Sequence, residues 1–165
     1  MHRLKWIFIF LFSLLISSHS YALREDTKDK IFIVADSSVY NYKTGIKVFT
    51  GHVKAIQGST HLTADKVTTK DNDKHQIQEI VAYGENESAH YWTLPKVGDQ
   101  QMHAYASIIK FFPLDSNVIL EKNVLVKQGD NHFKGQLILY NMNDETITVP
   151  PSANGRAVLI YNPDK

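Results

Sequence analysis

A chain of 165 residues that is 43% hydrophobic and 21% charged, with no Cys, has the proportions of an ordinary globular protein. Those proportions exclude a disordered tail, a collagen-like fibre and a disulfide-stapled miniprotein. With 18 Lys+Arg against 17 Asp+Glu there is no surplus of positive charge to neutralise phosphates, which argues against nucleic acid as a partner.

The N-terminus carries its own signal. Met1 to Lys5 holds Arg3 and Lys5, Trp6 to Ile16 is apolar except for Ser13, and Ser20-Tyr21-Ala22 sets small residues at the −3 and −1 positions of a cleavage site. The pattern predicts a secretory signal peptide over residues 1–22 and a single domain over 23–165. The apolar run at a helical rise of about 1.5 Å covers roughly 16 Å, half of a ~30 Å hydrocarbon layer, which argues against a permanent membrane anchor. Without Arg3 and Lys5 the remainder has 16 Lys+Arg against 17 Asp+Glu, a formal charge of −1. A thiol-free chain also fits an oxidising compartment.

From Lys30 onward the apolar spacing is close to two, in runs rich in Val, Ile, Tyr, Phe and Thr. In chain order the predicted strands are 30–34, 45–49, 52–56, 64–69, 78–83, 89–94, 106–112, 117–127, 135–141, 145–149 and 156–161. Turn-forming clusters separate them: Lys43-Thr44-Gly45, Gln57-Gly58-Ser59, Asp71-Asn72-Asp73, Gly84-Glu85-Asn86, Gly98-Asp99, Gln128-Gly129-Asp130 and Asn143-Asp144. No stretch beyond residue 22 sustains a helical face, so an all-β domain is expected.

The chain also resembles itself. Val53 to Gly58 followed by His61 aligns with Val124 to Gly129 followed by His132, a shift of 71 residues. The same shift carries Ala35-Asp36 onto Ala106-Ser107 and Ala64-Asp65 onto Gly135-Gln136. Two copies of a strand–turn unit are therefore expected, each burying what the other leaves wet.

Signals for catalysis are weak. His52, His61, His75, His90, His103 and His132 show no i+2, i+3 or i+4 pairing, and no nucleophile elbow, phosphate loop or zinc motif occurs. Asp65, Glu79, Glu85 and Glu87 lie mostly in or beside turns. The expectation is a non-enzyme with no cofactor and no metal.

Phe49-Thr50-Gly51-His52-Val53, Gln57-Gly58 and Leu62-Thr63-Ala64-Asp65-Lys66-Val67 open a series of motifs. Ile80 to Gly84, Ala104-Tyr105-Ala106, Val118-Ile119-Leu120 with Val124, and Gly135 to Tyr140 follow in order. Together they resemble the OstA-like domain family of lipopolysaccharide transport, over roughly residues 30–163. Lys122-Asn123 and Ser107 depart from the family pattern. The resemblance implies a twisted, partly open β-jellyroll of antiparallel strands, built here from repeated strand–turn units, that binds lipopolysaccharide through its lipid A acyl chains in the periplasm. It further implies a bridge made by end-to-end association, with an inner-membrane exporter tether at one end and an outer-membrane translocon at the other. The resemblance implies a contribution to outer-membrane assembly.

Alternating strand residues supply the candidate lining: Ile31 with Ile33, Val53 with Ala55, Ile109 with Phe111, Leu120, Val124 with Val126, and Ile138 with Tyr140, joined by Tyr91 at a groove mouth. In a closed β domain the same residues would be core, and alternation alone does not fix which parity faces inward. The candidate partner edges are Lys30–Ala35, with Lys30, Phe32 and Val34, and Arg156–Tyr161, with Arg156, Val158 and Ile160. Two further readings stand beside the carrier: a membrane-tethered relay component of the same pathway, and a structural β-module that polymerises through its edges without lipid.

Overall fold

The computed structural model describes residues 29–95, 98–144, 146–151 and 156–162. The predicted signal peptide lies outside them. Among the described residues twelve strands form one antiparallel sheet: β1 Phe32–Val34, β2 Ser37–Asn41, β3 Ile46–Gln57, β4 Thr60–Asp71, β5 Ile77–Tyr83, β6 Ala89–Thr93, β7 Met102–Ala106, β8 Ile108–Phe112, β9 Asn117–Gln128, β10 Asn131–Asn141, β11 Thr146–Thr148 and β12 Val158–Ile160. The all-β expectation holds, with differences in detail. β2 is a strand where none was predicted, because its sequence, Ser-Ser-Val-Tyr-Asn, lacks an apolar alternation. The run predicted over 106–112 is broken at Ser107, leaving Ala106 at the end of β7. Segments 45–49 and 52–56 are one continuous strand that bends rather than two. Lys30 and Arg156 lie just outside β1 and β12.

The internal repeat is structural. A shift of 71 residues places β3 on β9 from end to end, β1 and β2 on β7 and β8, and β4 on β10. Even single hydrogen bonds recur: Asp36 N–H donates to the Gly51 carbonyl at 3.0 Å, and Ser107 N–H to the Lys122 carbonyl at 2.9 Å. At the bend of each long strand two successive residues adopt positive φ, Gly51 (81°) and His52 (46°) in one copy, Lys122 (62°) and Asn123 (54°) in the other. The second copy thus puts Lys where the first has Gly, in a backbone region that costs an L-residue about 1–2 kcal/mol. Lys122→Gly should therefore raise the unfolding free energy by about 0.5–1 kcal/mol, less than the full strain because Gly also gains unfolded-state entropy. Urea denaturation at constant m-value checks this.

Those bends divide the sheet into two leaves. The first holds β1, β6, β7 and β12 with the ends of β3, β4, β9 and β10 that meet at the Gly58 and Gly129 turns; the second holds β2, β5, β8 and β11 with the opposite ends of the same long strands. The leaves face each other. Buried residues of both form one core, with Val53, Ala89, Ala104 and Val126 from the first and Val67, Ile109, Leu120 and Ile138 from the second. The bends make a spine and the hairpin turns make two lips. Among the described residues no strand pairing joins lip to lip, nor β1 and β2 to β11 and β12.

A candidate trough between two leaves

Residues opposed across an antiparallel ladder point to the same face, so the register reads out the inner wall directly. On the first leaf one row runs Ile33, Ala55, Leu62, Tyr91, Ala104, Val126, Phe133, Leu159, from one end of the sheet to the other. On the second leaf the row nearest the spine is Phe49, Val67, Ala82, Ile109, Leu120, Ile138. The next row outward is Tyr40, Lys47, Thr69, Ile80, Phe111, Val118, Tyr140, Ile147. The interior is therefore graded. Its floor is packed, with Val53 and Ile138 each 1% exposed, whereas Ile33, Leu62, Tyr91, Phe111, Phe133 and Tyr140 pack on that core only partly buried.

Toward the lips polar side chains join the apolar ones, which include Met102 on the first leaf and Met142 on the second. On the first leaf Gln57, Thr60, Thr93, Gln128 and Asn131 stand there, the Thr60 and Thr93 hydroxyls hydrogen-bonded at 3.0 Å. Burial pushes the Tyr91 phenol pKa up, against a downward pull from the Thr60 and Thr93 hydroxyls. On the second leaf Lys47 Nζ donates to both Asp71 carboxylate oxygens at 2.8 Å.

The structure brings most of the expected lining together. Val53, Ile109, Leu120, Val124, Val126 and Ile138 lie in the buried floor, and Ile33, Tyr91, Phe111 and Tyr140 pack against it. Ala55 shares the row of Ile33 and Leu62 and is half-buried. Ile31, two residues before Ile33, is 44% exposed ahead of β1. Sequence reasoning missed Phe49, Leu62, Met102, Phe133, Met142, Ile147 and Val149, although they join the same cluster. The available signal was the hairpin register around the Gln57-Gly58 and Gln128-Gly129 turns, which opposes Leu62 to Ala55 and Phe133 to Val126. Of the edge residues, Phe32, Val34, Val158 and Ile160 are all exposed in the terminal strands.

Trp92, next to Tyr91, points to the outer face by strand alternation. There it stacks on His61 at 4.8 Å and on His90 at 4.5 Å, and His90 Nε2 is hydrogen-bonded to His103 Nδ1 at 3.0 Å. Burial, then the neighbouring His103, pulls the His90 pKa down. Among the described residues no three metal-ligating side chains converge. Asp65 is architectural, since its Oδ2 accepts the Glu85 and Asn86 N–H groups at 2.6 and 2.7 Å and so pins the turn that carries the chain from β5 into β6. The Asn86 and Glu85 backbone bonds hold its carboxyl pKa below the usual range, against a smaller opposing pull from desolvation.

Sequence comparison gives this architecture a family. The profile of the LptA/(LptD N-terminal domain) LPS transport protein family matches residues 32–146. The chain belongs to that family. It is 31% identical over 131 residues to the lipopolysaccharide export system protein LptH of Pseudomonas aeruginosa, spanning 79% of this chain and 74% of that one. It is 24% identical over 146 residues to the lipopolysaccharide export system protein LptA of Escherichia coli, spanning 88% and 78%. The crystal structure of Pseudomonas aeruginosa LptH, described as the LptA-homologous periplasmic component of the lipopolysaccharide transport device, superposes with a TM-score of 0.76 at 26% identity. That superposition covers 84% of this chain and 99% of LptH. The LptA/LptD N-terminal fold is thus the twisted, jellyroll-like arrangement seen here.

Proposed function

We propose that the chain is a non-catalytic periplasmic carrier for lipopolysaccharide and one segment of a protein bridge between the inner and outer membranes. The observation that carries the reading is the inner wall, whose apolar row runs without interruption from Ile33 in β1 to Leu159 in β12, with Gln57, Thr60, Thr93, Gln128 and Asn131 at the lip of the first leaf. An amphiphile has the same grading. Each methylene taken out of water is worth about 0.8 kcal/mol, so a twelve-carbon tail gains on the order of 10 kcal/mol from such a wall. The tail lies above the packed floor, against Ile33, Leu62 and Phe133 on one leaf and Ile80, Phe111 and Tyr140 on the other.

The repeat supports end-to-end assembly and supplies its register. Within the chain the first copy ends in β5 and β6, which pair with β8 and β7 of the second. The second copy ends in β11 and β12, and the first begins in β1 and β2, with no strand beyond either pair among the described residues. Joining two chains as the two copies are joined places Val158, Leu159 and Ile160 opposite Val34, Ile33 and Phe32 of the next. Strand addition tolerates varied side chains, so the same edges suit a membrane tether at one end and a translocon at the other.

Depleting the protein from growing cells should leave newly made lipopolysaccharide at the inner membrane, measured by membrane fractionation after pulse labelling. Unchanged arrival at the outer membrane contradicts the carrier reading.

A further inference from the structure

The second leaf carries charge where a greasy wall has no need of it. Lys47 and Asp71 face inward near the lip, their side chains 24% and 5% exposed. Thr69, the register partner of Lys47, is 3% exposed, and its hydroxyl has no hydrogen-bond partner. Tyr40 lies beneath the Lys47 ammonium, 4.8 Å from ring centre to Nζ. Tyr42, 81% exposed, sets its ring 4.0 Å from that of Tyr40.

The fold does not require this set. The 71-residue shift maps Lys47 on Val118, Thr69 on Tyr140, Asp71 on Met142 and Tyr40 on Phe111, so the second copy builds the same wall from residues without charge. A partly desolvated ion pair at such a place contributes little to stability relative to apolar residues of similar size. A buried hydroxyl left without a partner is a cost as well.

We propose that Lys47, Asp71 and Thr69, with the Tyr40–Tyr42 pair, form a site for a sugar ring of the carried glycolipid. This rests on the carrier reading and names the part of the cargo held at the lip. A pyranose presents adjacent hydroxyls, which donate to the carboxylate and accept from the ammonium, and an apolar C–H face that lies on an exposed tyrosine ring. A phosphate meets a carboxylate held against the only cation of the set, so like-charge repulsion selects against it. The polar pair sits toward the lip and the apolar floor behind it, the order in which a glycolipid presents sugar and tail.

The test grafts the second copy's residues into the first: Lys47→Val, Thr69→Tyr and Asp71→Met in one protein, with the single exposed variant Tyr42→Ala as companion. Binding of dodecyl maltoside and of dodecyl phosphate, each below its micelle concentration, is measured by calorimetry, and folding by circular dichroism. The graft should lose at least tenfold in maltoside affinity and Tyr42→Ala at least threefold, with dodecyl phosphate unchanged within twofold for both. Equal maltoside binding by wild type and Tyr42→Ala overturns the sugar site, as does equal binding by a folded graft. A loss confined to dodecyl phosphate overturns it in favour of an anion site. If the wild type binds neither probe, the carrier reading itself falls, a result distinct from loss of sugar preference alone.

Discussion

Mild oxidation of a chain carrying Phe32→Cys and Ile160→Cys should produce a ladder of covalent oligomers, while Phe32→Cys with Val158→Cys stays monomeric on a non-reducing gel. The protein has no cysteine of its own, so the two introduced thiols report alone. The pairing follows from the internal joint: Trp92 of β6 opposes His103 of β7, and His61 of β4 opposes Trp92. The repeat carries His103 back to Phe32, and the pairing of His132 with Ile160 makes Ile160 the counterpart of Trp92. Opposed Cα atoms in a ladder lie about 4.5–5.5 Å apart, inside the disulfide range. A two-residue slip separates them by about 8 Å, outside it. Equal ladders from both pairs would contradict the register, and no ladder from either would contradict the edge-to-edge joint.

A second large effect lies at the spine. A Cβ on Gly84 would collide with the Glu87 carbonyl and the Ala89 amide, both backbone, in the turn that Asp65 holds shut. Backbone cannot step aside as a side-chain tip can, so Gly84→Ala should cost on the order of 3 kcal/mol by forcing the turn apart. Gly135→Ala is the contrast. Its nearest new neighbour is a Val149 methyl at 3.2 Å, and the first copy has Ala64 at the equivalent position. Its cost should stay near 1 kcal/mol or below. Comparable losses from the two variants in urea titrations would contradict the steric account.

Much of this fold is legible in the sequence because turn chemistry and period-two alternation agree. The Gly58 and Gly129 turns, both at positive φ, sit where the Gln-Gly signals put them, and the 71-residue shift marks the two copies. The strands missed are those whose neighbours, not their own residues, make them strands. β2 is five exposed residues held by β3, and β7 alternates small alanines with His103 and Tyr105, leaving little apolar pattern to read.

The inner wall was half legible. Alternation found Ile33, Val53, Ile109 and Ile138, but only the register shows that Leu62 and Phe133 share their face. Lys47 and Asp71 were invisible for a simpler reason. A charged residue within a strand reads as solvent-facing, and nothing local says that this pair neutralises itself on the inner side. Trp92 is one step along the strand from Tyr91, which puts it on the outer face among histidines.

The central claim is that the inner wall touches acyl chains, and site-specific photo-crosslinking in living cells tests it most directly. A benzophenone side chain at Ile33 or Phe111, on opposite leaves of the wall, should capture lipopolysaccharide, and one at Lys70, exposed on the outer face of β4, should not. Equal labelling at all three positions, or labelling at Lys70 alone, would contradict the trough.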